Sequence, residues 1–141
     1  MRTASRVLLL VVGFTLAALP ALAAGNAKDL EGTPQAKAYR ALIKAIDAQD
    51  FEAYKKCMMA EASKDMDKQL KEMNKTPKEV MGFFKAMEPT DIKFTDLKVD
   101  GKKATLMATG KSEGEVNKGT IELAEENGAW KIGKQSWTNA K

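Results

Sequence analysis

The sequence predicts an α+β fold in which N-terminal helices pack on an antiparallel β-sheet, and three observations support this prediction. Apolar residues recur every three or four positions between residues 34 and 87, as they do on one face of a helix. After Pro89 the apolar residues alternate, which is the period of a half-buried strand. Asp100-Gly101 and Asn127-Gly128 are dipeptides typical of tight hairpins. Helices followed by a meander of strands define the α+β class.

The first 23 residues have the plan of a secretory signal peptide. Arg2 and Arg6 precede an apolar run from Val7 to Leu19, and the small residues after Pro20 favour cleavage after Ala23. We therefore expect a Sec-type leader and a bacterial protein that is periplasmic or secreted. Cleavage would remove two of the 23 basic residues and lower the net charge from +4 to +2. An uncleaved leader would instead anchor the chain.

The remaining sequence predicts one domain over residues 34–138, preceded by a flexible segment at 24–33 that shows no periodicity. A hydroxyl at Thr33 followed by a proline is typical of a helix start. The first helix carries one apolar face, and Asp50 is placed to cap the next helix. That face consists of Tyr39, Leu42, Ile43 and Ile46.

The second helical pattern begins at Phe51 and continues toward Leu70 or Met73, as one long helix or as two short ones interrupted near Ser63. Thr76-Pro77-Lys78-Glu79 then has the spacing of a capping box with proline at the first helical position. The third helix ends at Pro89.

Four strands follow. A change of parity between Phe94 and Leu97 predicts a bulge in the first strand. Residues 110–114 form a turn-rich stretch before the third strand. On the last strand Trp130, Ile132 and Lys134 alternate, and the strand reaches Trp137. No span of roughly 20 apolar residues follows the leader, so we expect no membrane span in the mature chain.

The composition excludes several chemistries. The chain contains no histidine, so the commonest general base at neutral pH is absent. Cys57 is the single cysteine, which excludes an intramolecular disulfide. The lysines are dispersed among acids, so we expect no nucleic-acid partner. There is no paired cysteine set and no glycine-rich phosphate loop, and we expect no metal and no cofactor.

Methionine is unusually frequent, with eight residues. Met59, Met66 and Met73 lie seven positions apart, and with Cys57 they form a set of soft ligands suited to Cu(I). The alternative is a hydrophobic core, because Met66 and Met73 share their helical stripe with Leu70. We favour the core interpretation, since the methionines recur among ordinary apolar neighbours.

Three stretches resemble the nuclear transport factor 2-like superfamily. They are the junction at residues 45–53, with an aspartate before the second helix, the helix at 77–87 that leads to a strand with an Asp-Gly turn, and the C-terminal Asn127–Ile132 followed by Trp137. The chain is most similar to small exported bacterial members of unknown function and to lumazine-binding-like domains. The resemblance implies a cystatin-like cone, in which helices are wrapped by a curved antiparallel sheet. It also implies that a homodimer can form through the sheet.

In such a cone, inward-facing aromatic side chains would line an apolar pocket. The candidate lining residues are Tyr39, Phe84, Met107, Trp130 and Trp137. Plain core packing by the same residues is the alternative. We assign no catalytic residue, because Asp47, the acid nearest the Tyr39 face, fits a solvated helix end.

The function that we expect is therefore non-enzymatic binding of a small apolar or aromatic ligand in the cone. The first alternative is a protein-interaction domain of the cell envelope. The second is an enzyme of the isomerase or dehydratase type, as found on the resembled fold.

Overall fold

The computed structural model describes residues 27–140, and the predicted leader at 1–23 lies outside them. Five helices precede four strands, and together they confirm the α+β class. The helices are α1 Ala27–Leu30, α2 Pro34–Asp47, α3 Phe51–Cys57, α4 Ala60–Met73 and α5 Pro77–Met87. The strands are β1 Thr90–Asp100, β2 Lys103–Ser112, β3 Glu115–Glu126 and β4 Ala129–Asn139.

The predicted helix starts are confirmed at the level of single hydrogen bonds. The Thr33 side chain accepts a hydrogen bond from the backbone N–H of Ala36, and Asp50 caps α3 in the same way through Ala53. At α5, Thr76 and Glu79 form both halves of a capping box. These bonds satisfy N–H groups that the first turn of a helix leaves without an intrahelical partner.

Part of the segment predicted to be flexible, residues 24–33, forms a short helix. This helix is α1, and Leu30 at its end is buried in the core. Thr33 holds this turn in place, because both its backbone N–H and its hydroxyl donate to the carbonyl oxygen of Leu30. A single apolar residue has no periodicity, which explains why the pattern did not predict this element.

The second helical pattern is split at Met58–Met59 rather than near Ser63. α3 ends at Cys57, and Met58 is extended and forms a parallel bridge with Ile132 of β4. The backbone N–H of Met59 donates to the carbonyl oxygen of Ile132 at 2.9 Å. A tertiary contact with the sheet therefore ends the helix, which local sequence does not predict.

The four strands form an antiparallel sheet in the order β1-β2-β3-β4, and helices pack against one face of its curve. Each hairpin has a two-residue loop, and the Asn127-Gly128 loop is as predicted. Both of its residues have positive φ, 52° and 81°, which suits the right-handed twist of the flanking strands. The stretch 110–114 differs from the prediction, because β2 continues to Ser112 and only Glu113-Gly114 forms the turn.

Irregularities in β1 and β4 adjust which side chains face the helices, and β1 has one of them at its start, between Thr90 and Lys93. The predicted bulge in β1 lies between Phe94 and Asp96. Another one, not predicted, lies in β4, where Ile132 pairs with Leu123 while Lys134 pairs with Glu122. Gly133 is the extra residue, so the predicted alternation of Trp130, Ile132 and Lys134 holds only as far as Ile132.

The core lies between α2 and the concave face of the sheet. Tyr39, Leu42 and Ile46 of α2 are buried against the central strands, whose buried residues include Leu106 and Ile121. By contrast, α4 has fourteen residues and a single buried one, Leu70. Within residues 27–140, no helix has the length and hydropathy that crossing a membrane requires.

Candidate functional site

The structure brings together two of the five predicted lining residues, Tyr39 and Trp137. Tyr39 projects from the middle of α2 and has no exposed surface. Its ring packs edge-on against Phe94 of β1, with the ring centroids 6.0 Å apart. This interior position matches the prediction that the Tyr39 face of the first helix points into the fold.

A buried polar cluster surrounds the Tyr39 hydroxyl. The hydroxyl oxygen lies 3.0 Å from Glu88 Oε1 and 2.8 Å from Gln135 Oε1. Glu88 caps the end of α5, and Gln135 reaches the interior because of the bulge at Gly133. The indole Nε1 of Trp137 is also buried; it makes no hydrogen bond of good geometry to a described residue, but it lies close enough to the Tyr39 hydroxyl to lower the pKa of Tyr39.

The cluster perturbs the ionisation of its members. Burial raises the pKa of Tyr39, and the neighbouring Glu88 carboxylate raises it further. Burial also raises the pKa of Glu88, with Asp47 adding to the rise and the hydrogen bond from Tyr39 opposing it. A hydroxyl has one proton, so Tyr39 donates fully to only one of its two acceptors.

A carboxyl with a raised pKa beside a tyrosine is an arrangement that acid–base enzymes use. Here, however, Tyr39 has no exposed surface, and its hydroxyl is occupied by protein groups on both sides. Asp47, the acid considered from the sequence, is exposed at the end of α2. The arrangement is that of a polar network that fixes α2, α5 and β4 relative to one another.

Trp137 is half-buried and packs against the core and the neighbouring strand β3. It pairs with Gly119 in the register of β3 and β4. A Cβ built on Gly119 would lie 2.7 Å from two ring atoms of Trp137, so the indole covers the glycine directly. At this end of the sheet, the contact of Trp137 fits the alternative of plain core packing.

The other three predicted lining residues lie apart from Tyr39. Trp130 is half-buried near the opposite end of β4, and Met107 is half-buried on the face of β2 opposite to Leu106 and Ala108. Phe84 of α5 packs against Tyr54 of α3, with ring centroids 5.2 Å apart. The five residues therefore do not form one pocket.

Phe84 lies in a different site, an apolar groove between α4 and α5 that we call the helical groove. Its volume is about 570 Å³, which lies in the range typical of small-molecule sites. Leu70 and Phe84 form its inner part, whereas Met73 and Phe83 are 56% and 60% exposed at its rim. The groove is lined by Met66, Gln69, Leu70, Met73, Lys75, Glu79, Val80, Phe83 and Phe84.

The spacing of these residues explains why the groove forms. On α4 the lining residues recur every three or four positions from Met66 to Met73, and on α5 they recur from Val80 to Phe84, so each helix presents one stripe. The connection at residues 74–76 begins with Asn74 in a left-handed conformation, φ 52°, which ends α4. The two stripes thus face each other without closing.

The methionine stripe was predicted to be core, and this is wrong for Met73, which is more than half exposed. Met66 is half-buried on the groove, and Met59 lies at the α3–α4 break with its sulfur against Gly133. The break separates Met59 from the stripe of α4. Among the described residues, no group of three His, Cys, Asp or Glu side chains is placed to hold a metal ion.

Phe83 is the groove residue that the sequence interpretation missed. Its signal was present, because Phe83 and Phe84 are adjacent and lie about 100° apart around a helix axis, so both cannot face one core.

Cys57 offers no second site. It is half-buried at the end of α3, and burial raises the pKa of its thiol, which keeps it in the unreactive form.

Comparison with models of known protein families gave no match to this chain, and comparison with curated protein sequences also gave none.

Proposed function

We propose that this protein is an exported, non-enzymatic binding domain that holds a small apolar or aromatic molecule, and that the helical groove is its binding site. The observation that carries this proposal is an open groove of about 570 Å³ whose lining is mostly apolar. Export is supported by the leader pattern of residues 1–23. The site differs from the interior pocket expected from the sequence, because Trp130, Met107 and Phe84 lie apart from Tyr39.

The physical driving force is the removal of exposed apolar surface from water. Phe83 is 60% exposed, although a buried phenylalanine side chain gains about 1.5–3 kcal/mol relative to an exposed one. A ligand that covers Phe83 and Met73 recovers part of this free energy. Leu70 is already buried, so the inner part of the groove is formed before a ligand arrives.

The test uses N-phenyl-1-naphthylamine, an uncharged aromatic dye that fluoresces in apolar surroundings. We expect saturable binding to the mature protein and about tenfold weaker binding to Phe83→Ser, which corresponds to about 1.4 kcal/mol. Met87→Ser is the matched control, because Met87 is 64% exposed on the same helix and does not line the groove. Equal loss in both variants would place the dye elsewhere, and no saturable binding would refute the proposal.

One observation favours a second candidate, a protein-interaction domain of the cell envelope. Met73, Phe83 and Met87 are all exposed on the helical side of the molecule, and exposed apolar clusters mark interaction surfaces. A protein partner would contact Met87 as well as Phe83, whereas a ligand in the groove would contact only Phe83. Loss of complex formation in Met87→Ser, without loss of dye binding, would favour this candidate.

A further inference from the structure

The charged residues of the helical groove indicate which class of molecule it binds, provided that the groove is a binding site as proposed above. Of the nine residues that line it, Lys75 and Glu79 are the charged ones. Both lie at the end where α4 turns into α5. The rest of the lining is apolar apart from Gln69, so the groove is amphipathic along its length.

The carboxylate of Glu79 is already engaged by the protein. Its Oε2 accepts hydrogen bonds from the backbone N–H of Thr76 at 2.8 Å and from the Thr76 hydroxyl at 3.0 Å. These two bonds, followed by the charge of Lys75, lower the pKa of Glu79. Glu79 is therefore part of the helix cap, and its charge is stabilised without a ligand.

The ammonium group of Lys75 is in a different situation. Its backbone is fixed, because its N–H donates to the carbonyl oxygen of Leu70 at 3.1 Å. Its side chain makes no hydrogen bond or ion pair within 4 Å to any described residue between 27 and 140, and its charge helps to lower the pKa of Glu79. A lysine stem can lie along apolar surface while its charge stays in water. Lys75 thus supplies a positive charge at one end of an apolar channel.

The dimensions of the groove suit a single alkyl chain. The apolar residues of α4 extend from Met66 to Met73, which spans roughly 10 Å at 1.5 Å per residue. Methionine side chains at both ends of this stretch are flexible and adapt to chains without a fixed shape.

We propose that the helical groove binds the anion of a free, medium-length fatty acid, with the alkyl chain between α4 and α5 and the carboxylate beside the Lys75 ammonium. The apolar stripe recognises the chain, and the Lys75 ammonium, which makes no ion pair within 4 Å to residues 27–140, selects an anionic head. Because a partly exposed ion pair contributes modestly, the chain supplies most of the affinity and Lys75 supplies the selectivity.

The experiment measures displacement of N-phenyl-1-naphthylamine from the mature protein by decanoate, decanol and decyltrimethylammonium, each below its micelle concentration. We expect decanoate to bind most tightly, and its affinity to fall as salt is added. Lys75→Gln should weaken decanoate about threefold and Lys75→Glu about tenfold, with decanol unchanged. Lys78→Glu is the matched control, because it makes the same change of charge on a residue that does not line the groove.

The outcomes separate the two proposals. If the three decyl compounds compete equally, the fatty-acid inference fails while the groove remains a binding site for apolar molecules. Tighter binding of decyltrimethylammonium would assign the selectivity to Glu79 and would also overturn the inference. The protein is also tested for binding to anionic phospholipid vesicles in the presence of decanoate. If decanoate did not reduce that binding, the ligand would be a membrane surface and not a free fatty acid. If the dye itself does not bind, the proposed function fails first.

Discussion

Replacing Tyr39 by phenylalanine removes one hydroxyl and tests whether the buried polar cluster stabilises the fold. The hydroxyl lies 3.0 Å from Glu88 Oε1 and 2.8 Å from Gln135 Oε1, and the Tyr39 side chain has no contact with water. A buried polar group left without its partner costs about 1–3 kcal/mol. We expect Tyr39→Phe to lower the unfolding free energy by about that amount at neutral pH. In a domain of this size, each kcal/mol corresponds to about 4 °C in melting temperature.

The loss should depend on pH, because the Tyr39 hydroxyl favours the charged form of Glu88. Burial raises the pKa of Glu88 above its ordinary value of 4.5, and the bond from Tyr39 acts against that rise. Without the hydroxyl, the pKa of Glu88 in the folded state rises further. A carboxyl whose pKa is higher in the folded than in the unfolded state does not change the unfolding free energy at a pH below its unfolded-state pKa. It lowers the unfolding free energy as the pH rises from there through its folded-state pKa. The loss in Tyr39→Phe should therefore be smallest at about pH 4 and largest at about pH 8.

The measurement is urea unfolding followed by far-UV circular dichroism at both pH values. Tyr54→Phe is the matched control. Tyr54 is also buried, and burial raises its pKa to about 12, yet its hydroxyl makes no hydrogen bond to the described residues. Its replacement should change the unfolding free energy little at either pH. An equal loss in Tyr39→Phe at both pH values would show that Glu88 does not share the hydrogen bond.

Two further replacements test the packing of the sheet and the start of α5. Gly119→Ala places a methyl group against the Trp137 ring and should cost about 1–3 kcal/mol of unfolding free energy. Trp137→Leu in the same chain should relieve that loss, and additive losses in a double-mutant cycle would contradict the contact. Thr76→Ala removes the hydroxyl of the capping box and should cost about 1 kcal/mol, measured by thermal melting. A melting temperature equal to that of the wild type would show that Glu79 alone caps α5.

The features that sequence predicted correctly depend on neighbours along the chain. Thr33, Asp50 and the Thr76–Glu79 box cap helices through residues three positions away, so short motifs are sufficient to locate them. The Asn127-Gly128 turn is local in the same sense. These signals fix where the elements begin and end, and the change of period at Pro89 fixes their class.

The features that sequence did not predict depend on contacts between distant residues. The break at Met58–Met59 follows from its pairing with Ile132, more than seventy positions away. The bulge at Gly133 turns Gln135 inward, and only then does Gln135 reach Tyr39. A stripe of apolar residues shows that a helix has one apolar face, but it does not show whether another element covers that face. This is why Met73 was predicted to be buried and is exposed.

The position of the candidate site depends on which side chains occupy the space next to the sheet. Phe94, Ala108, Gly119 and Trp137 pair across the four strands, so two large aromatic residues flank two of the smallest. The space that the small residues leave is occupied by the indole of Trp137, and Tyr39 occupies the adjoining interior. In a hollow cone these aromatic residues would line a cavity, whereas here they pack into that space. The exposed apolar surface lies instead where α4 contributes one buried residue and α5 exposes Phe83, which is why we propose the helical groove as the binding surface.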